Sequence, residues 1–257
     1  MALTDLWAGL RRYEVWWIFA IHEIKQRFRR SVLGPFWLTL SMGVMVAALG
    51  LVFGTLFNQD MRSFLPYLST GLIFWGLMTT VINEACTAFI VSEGSIRNVP
   101  MPLSVHLYRM MARNLIIWTM NMVIYLAVIV YFGVRPNANF FLFIPGFLLL
   151  LVNLFWMAMV ASILSTRFRD IPQVIASLLQ VVFFVTPIFW SIESLPTRPA
   201  FIHWNPFYHL LEIVRAPLLG AAPHALSWMI AVCLAIVGIP VALWLYRRAY
   251  PRIPYWV

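Results

Sequence analysis

The chain has little charge and little that could carry out covalent chemistry. Charged residues are 11% of its 257 residues against 62% hydrophobic ones, and Lys25 is the only lysine. No glycine-rich loop ends in Gly-Lys-Ser or Gly-Lys-Thr, so the chain is expected to have no nucleotide-hydrolysing site and no cofactor of its own. Its histidines, His22, His106, His203, His209 and His224, form no His-x-x-x-His pair, and its acidic residues stand singly. That leaves neither a metal-ligand set nor a pair of carboxylates for acid–base work. Cysteine is scarce too: Cys86 and Cys233 lie in apolar stretches, where a thiol is a small hydrophobe and no disulfide framework is implied. A cleavable signal peptide is not evident, because the first thirty residues are mixed and charged and the first long apolar run is of spanning length.

What is abundant is apolar length. With a mean hydropathy of +0.85, a soluble domain of this size could not bury its own apolar surface. The expected fold class is therefore an all-α membrane protein. Crossing roughly 30 Å of hydrocarbon takes about twenty apolar residues. Six such runs fall at 36–57, 64–90, 110–134, 140–164, 171–190 and 227–246. The fifth is short, holds Pro187 and runs into Ser191, Glu193 and Pro196.

The formal net charge of +9 does not point to nucleic acid, because the cations sit in short clusters between apolar runs and form no continuous face. One set of connections holds Arg11, Arg12, Lys25, Arg27, Arg29, Arg30, Arg97, Arg109, Arg113, Arg167, Arg169, Arg247, Arg248 and Arg252. The other holds Arg62, Arg135, Arg198 and Arg215. The asymmetry predicts that both termini are cytoplasmic, and an even number of spans agrees in putting them on one side.

We read residues 1–257 as one transmembrane domain: an interface helix and a basic amphipathic segment at 1–35, spans one to five at 36–190, two short re-entrant or interfacial helices at 191–226, and span six with a tail at 227–257. Leu3, Leu6, Trp7, Leu10 and Trp17 recur at helical spacing between charges, which suits a helix lying in the interface plane up to about residue 20. In residues 21–30, Ile21, Ile24 and Phe28 share one side and cations fill the rest; Pro35 then opens the first span. Farther on, Asn205-Pro206 starts a helix whose Phe207, Leu210, Leu211 and Val214 share a face.

An ionisable group in a span is a functional candidate by default, and Glu84 is one, with Arg113 as its expected partner. The alternative is an ordinary structural ion pair at headgroup level. Many of the 20 Phe, 12 Trp and 9 Tyr belong to interfacial belts, but Trp75, Trp118, Tyr125, Trp156 and Phe184 lie well inside spans. There they either pack or line a passage and stack on sugar rings.

The segment Glu23-Ile-Lys-Gln-Arg-Phe-Arg-Arg-Ser-Val-Leu-Gly-Pro-Phe-Trp37 resembles the membrane component of ABC-2 type exporters, in particular permeases for O-antigen and capsular polysaccharides. Further pieces agree in order: Arg97-Asn-Val-Pro-Met-Pro-Leu103, Arg167-Phe-Arg-Asp-Ile-Pro-Gln173, Thr186-Pro-Ile-Phe-Trp190 and Asn205 to Gly220. The resemblance implies a homodimer in the bacterial inner membrane, paired with a cytoplasmic ATPase dimer that holds the ATP and Mg. It implies a coupling helix at 21–31 with Glu23, Lys25, Arg27 and Arg30, a second contact loop at 92–108 with Arg97 and Pro100, and a periplasmic gate with Asn205, Pro206, Tyr208, Glu212 and Arg215. A lipid diphosphate carrying a glycan would suit arginine forks, with Arg11, Arg12, Arg29 and Arg30 as candidates by position. The same cations would also bind anionic membrane lipid. An exporter of another cargo, such as a drug or teichoic acid, and a scaffold or channel without an ATPase, are the alternatives.

Overall fold

The computed structural model describes residues 2–56, 58–133, 137–190 and 200–257. Several sequence expectations lie outside the described residues: Phe57 and Val134 at span ends, Arg135 and Arg198 in the charge count, and Ser191, Glu193, Leu195, Pro196 and Pro199 in the second long connection. Among the described residues there is no strand, as the expected all-α class requires.

Two helices precede the first span, α1 (Ala2–Arg11) and α2 (Tyr13–Arg27). The break falls at Arg12, not near residue 20 as expected, and the basic segment is not a separate helix. Ala20 and Ile24 are buried on the same face as Glu23, so packing holds α2 helical through Ile21 to Arg27. The chain then turns at Phe28–Arg30 and Gly34, whose φ of +57° suits glycine.

The chain next forms α3 (Phe36–Leu56), α4 (Met61–Thr87), a short α5 (Glu93–Asn98) and α6 (Ser104–Phe132). A 3-10 turn (Ala138–Leu142) leads into α7 (Phe143–Arg167), followed by α8 (Ile171–Val185). A second 3-10 turn (Ala200–Trp204) precedes α9 (Pro206–Leu218), and α10 (Ala225–Ala249) and α11 (Ile253–Trp256) complete the chain. Among the described residues five helices are long and apolar enough to cross a membrane: α3, α4, α6, α7 with its preceding turn, and α10. The expected fifth span is only the 15-residue α8, because Thr186 is pushed to extended backbone (ψ 131°) ahead of Pro187, which cannot continue the helix.

Helix α4 is the centre of the bundle. Leu68, Phe74, Met78 and Val81 are fully enclosed where it packs on α6, α7, α8 and α9. Its Asp60 cap accepts from the Arg62 N–H at 3.1 Å. Helix α10 packs on α7 and α9, whereas α3 packs chiefly on α4 and α6 and leaves much of its surface uncovered. Close approach depends on glycine in two places: a side chain on Gly146 would strike the Ile213 carbonyl, and one on Gly238 would strike the Trp156 ring.

Helix α9 begins as the sequence predicts, with the Asn205 side chain accepting from the Phe207 N–H at 3.0 Å. It is buried in the bundle. Leu210, Leu211, Ile213 and Val214 are all enclosed among α4, α7 and α10. The other member of the expected helix pair is represented among the described residues only by the 3-10 turn.

Candidate functional site

At the arginine-rich end, Arg109 and Arg113 stand one turn apart on α6. Like charges at that spacing repel unless acids lie between them. Two acids do. Glu23 of α2 accepts from Arg113 and pairs with Arg109 at 3.0 Å, while Glu84 of α4 takes Arg113 at 2.7 Å. Asn114 adds a 2.5 Å bond to Glu84, and Arg109 reaches Ser92 at 2.9 Å. The Glu84–Arg113 pair expected from sequence is therefore present, and it belongs to a cluster that ties α2 to α4 and α6. All four ionised side chains are about three-quarters or more covered, so the cluster is only partly screened by solvent.

Glu23, expected as a contact for a partner, thus turns inward. The cations after it do not: Lys25, Arg27, Arg29 and Arg30 are exposed, and Gln26, Arg27, Arg29 and Arg30 line a polar recess of about 480 Å³. Arg11 and Arg12 are also exposed, with Arg11 lying 5.0 Å over the Trp7 ring. The 15 residues of α2 separate them from Arg29 by about 22 Å at 1.5 Å per residue, so one phosphate group cannot bridge the two sets. Arg97 pairs with Glu93 at 3.1 Å and donates to the Val257 carbonyl, which fastens α5 to the end of the chain; Pro100 beside it is exposed.

A second connection at this end was not expected from the sequence. Asp5 of α1 accepts from the Leu103 and Ser104 N–H groups, each at 3.0 Å, and from the Tyr246 hydroxyl of α10 at 2.6 Å. It serves as the cap of α6, which explains why α6 starts at Ser104, six residues before the predicted span. The available signal was a lone acid within the otherwise apolar face of the first helix.

The five aromatics divide. Tyr125 is 2% exposed and donates to the Leu218 carbonyl at 2.6 Å; Trp75 is enclosed against Phe183 and Phe207. Trp118 stacks on Phe147 at 4.4 Å, and the Trp156 indole donates to Asn153 at 3.0 Å. Phe184, at 60%, is the one with an open face.

At the opposite end, Arg215 is 2% exposed, so its place in the loop charge count is corrected: it is a buried helix residue, not a loop cation. It donates to the Pro187 carbonyl at 2.6 Å, pairs with Glu212 at 2.7 Å and lies 4.1 Å over the Tyr67 ring. Burial alone would lower its pKa, but Tyr67, Glu212 and Tyr208 outweigh that and raise it, so it stays charged. Tyr67 also donates to Pro187 and Trp190, and Asn205 reaches Thr186 at 2.8 Å. The turn after α8 is thereby clamped by α4 and α9. Beside Tyr208, His209 bridges Ser227 (2.9 Å) and the His203 carbonyl (3.0 Å), and burial lowers its pKa.

Residues 14–219 match the family model described as ABC-2 type transporter. A Myxococcus xanthus protein named O-antigen export system permease protein RfbA is 22% identical over 197 residues, 76% of each chain. Two Klebsiella pneumoniae proteins of the same name are 22% and 21% identical over 227 and 226 residues, each match covering 85% of this chain and 87% of the relative.

Proposed function

The chain belongs to the ABC-2 type transporter family, and from that premise we propose that it is the channel-forming subunit of an ATP-driven exporter. In this reading two copies assemble with a cytoplasmic ATPase dimer that binds ATP and Mg. They move a lipid-linked polysaccharide of O-antigen or capsule type across the bacterial inner membrane. The cargo rests on what the three relatives are named for. Cytoplasmic termini are supported by the crowd of arginines at one end of the bundle. A sixth crossing is supported by α8 together with 186–190, which reach Tyr67, about 30 Å along α4 from Thr87 at 1.5 Å per residue.

The observation that carries the proposal is the Glu23–Arg109–Arg113–Glu84 cluster. It joins the helix that leads into the exposed Arg27, Arg29 and Arg30 with the two spans at the heart of the bundle. Closure of an ATPase pair beneath the basic recess would push on the end of α2, and a cluster of mostly covered ion pairs that share partners would pass that displacement to α4 and α6. No bond is made or broken in this chain. The lipid diphosphate would meet the cations of the recess or those at Arg11 and Arg12, one group at a time. Phe184 remains for sugar rings to stack on.

The test is co-purification in nanodiscs with the candidate ATPase, reading association and ATP hydrolysis. Arg27→Ala/Arg30→Ala should lose association, whereas Glu23→Gln should keep it and lose cargo-stimulated hydrolysis. Failure of the unaltered chain to bind any ATPase would overturn the exporter reading and leave a multi-span scaffold or channel.

A further inference from the structure

A groove of about 560 Å³, open along one side, runs between α6, α7 and α10. Met111 of α6, Val152 of α7 and Leu243 of α10 line it, and Leu10 of α1 with Trp17 of α2 cover its arginine-rich end. That cover is fixed in place. Asp5 ties α1 to the start of α6 and to Tyr246 near the end of α10. Tyr108 stacks on Phe155 at 5.1 Å and gives its hydroxyl proton to the Leu6 carbonyl at 3.3 Å, so the surface left to the groove is almost wholly apolar.

Chemistry, length and volume decide what fills it. Water would give up its hydrogen bonds against such a lining, and a bare phosphate would give up more. From Leu148 to Met159 the groove follows α7 for about 17 Å at 1.5 Å per residue, close to the ~15 Å of one leaflet in a hydrocarbon core of about 30 Å. A cavity of about 150 Å³ takes the six carbons of benzene, so about 560 Å³ takes about twenty carbons, the size of one acyl chain.

The covered end is cationic. Arg11 and Arg12 occupy the corner between Leu10 and Trp16, both of which line the groove, and Arg247 stands one turn beyond Leu243 on the same face of α10. All three arginines are exposed; of the acids near them in sequence, Glu14 is exposed and Asp5 is spent on Tyr246 and the start of α6. We propose that the groove holds one acyl chain of a membrane phospholipid whose anionic headgroup lies on Arg11, Arg12 and Arg247. The lipid wedges the α1–α2 corner against α6 and α10, and a zwitterionic headgroup, which brings an ammonium to the same arginines, fits it less well. The recess at Arg27, Arg29 and Arg30 has cations but no apolar side chain in its lining, so it is not a second such site.

The experiment weighs the full chain intact in mild detergent by native mass spectrometry, before and after lipid is stripped and returned. The chain as extracted should carry one phospholipid. Dioleoyl phosphatidylglycerol should rebind at least about tenfold tighter than dioleoyl phosphatidylcholine, which has the same chains and no net charge, and Arg11→Ala/Arg12→Ala/Arg247→Ala should cut that preference to about twofold. Arg27→Ala/Arg29→Ala/Arg30→Ala should leave it intact. Val152→Trp and Leu148→Trp fill the groove from partly exposed positions and should weaken both lipids at least about tenfold, with circular dichroism showing which variant stays folded. Equal affinity for the two lipids, a preference that survives loss of the three arginines, or undiminished binding in a folded groove-filled variant would overturn the proposal. So would a lipid diphosphate in the extracted chain in place of phospholipid. None of these readings requires an ATPase, so they stand apart from the test of export.

Discussion

The Tyr246 hydroxyl donates to the Asp5 carboxylate at 2.6 Å, joining the first helix of the chain to the last long one. The same carboxylate caps α6 through Leu103 and Ser104, so three elements far apart in sequence converge on one buried acid. Asp5→Ala should lower stability by about 2–3 kcal/mol, since two backbone donors and a phenol lose their acceptor together. Tyr246→Phe should lower it by about 1 kcal/mol. Thermal unfolding of both variants and of the double variant checks this; a double variant no worse than Asp5→Ala alone indicates one shared interaction, and strict additivity would refute it.

Arg113→Ala should be worse than either acid's neutralisation. It leaves Glu23 and Glu84 facing each other across a partly covered space, whereas Glu84→Gln keeps a hydrogen-bonding group beside Asn114. Given one-quarter exposure, about 2–3 kcal/mol is expected for Arg113→Ala and about 1 kcal/mol for Glu84→Gln. Chemical unfolding in detergent would show the order, and the reverse order would refute the cluster's role.

Arg215→Lys should not rescue Arg215→Met. The guanidinium serves a carbonyl, a carboxylate and a ring at once, geometry that an ammonium cannot copy. Both variants should loosen the turn at Pro187, read as faster proteolysis between α8 and α9. A Lys variant with native resistance would show that charge alone suffices.

His209 gives a pH dependence of definite sign. Its folded pKa lies below the ordinary value of 6.5, chiefly through burial, with the His203 carbonyl and Glu212 opposing. The neutral ring is therefore the folded form, and the unfolded chain binds the proton first. Stability is full above 6.5 and falls as pH drops through that value toward the lower folded pKa. Melting at pH 7 and pH 5 should show the drop, and His209→Gln should shrink it. An unchanged drop in the variant would assign it elsewhere.

Hydropathy and charge made the all-α class, five of the six expected spans to within a few residues of their ends, and the Glu84–Arg113 pair legible, because each depends on the length of an apolar run or on a charge placed within one. The Asn205 cap and the buried face of α9 were equally local. Glu23 was legible as a charge on the right helix but not in its direction, because a helix shows which residues share a face and not what that face meets. Arg215 was misplaced for a related reason: counting cations by loop treats every arginine as solvated, and this one is enclosed by Tyr67, Glu212 and Pro187.

The sequence by itself determined that this chain must live in a bilayer, since 62% hydrophobic content has no other solvent, and that its cations crowd one end. Only the tertiary structure decided which charges are spent inside the protein and which remain exposed. It put Asp5 on Tyr246, turned Glu23 toward Arg109 and Arg113, and left Arg27, Arg29 and Arg30 in the open. The physical reason is that pairing is a property of distance in space. A carboxylate and its partner eighty or more residues apart become neighbours only when helix packing brings them within bonding distance, and no local pattern records that.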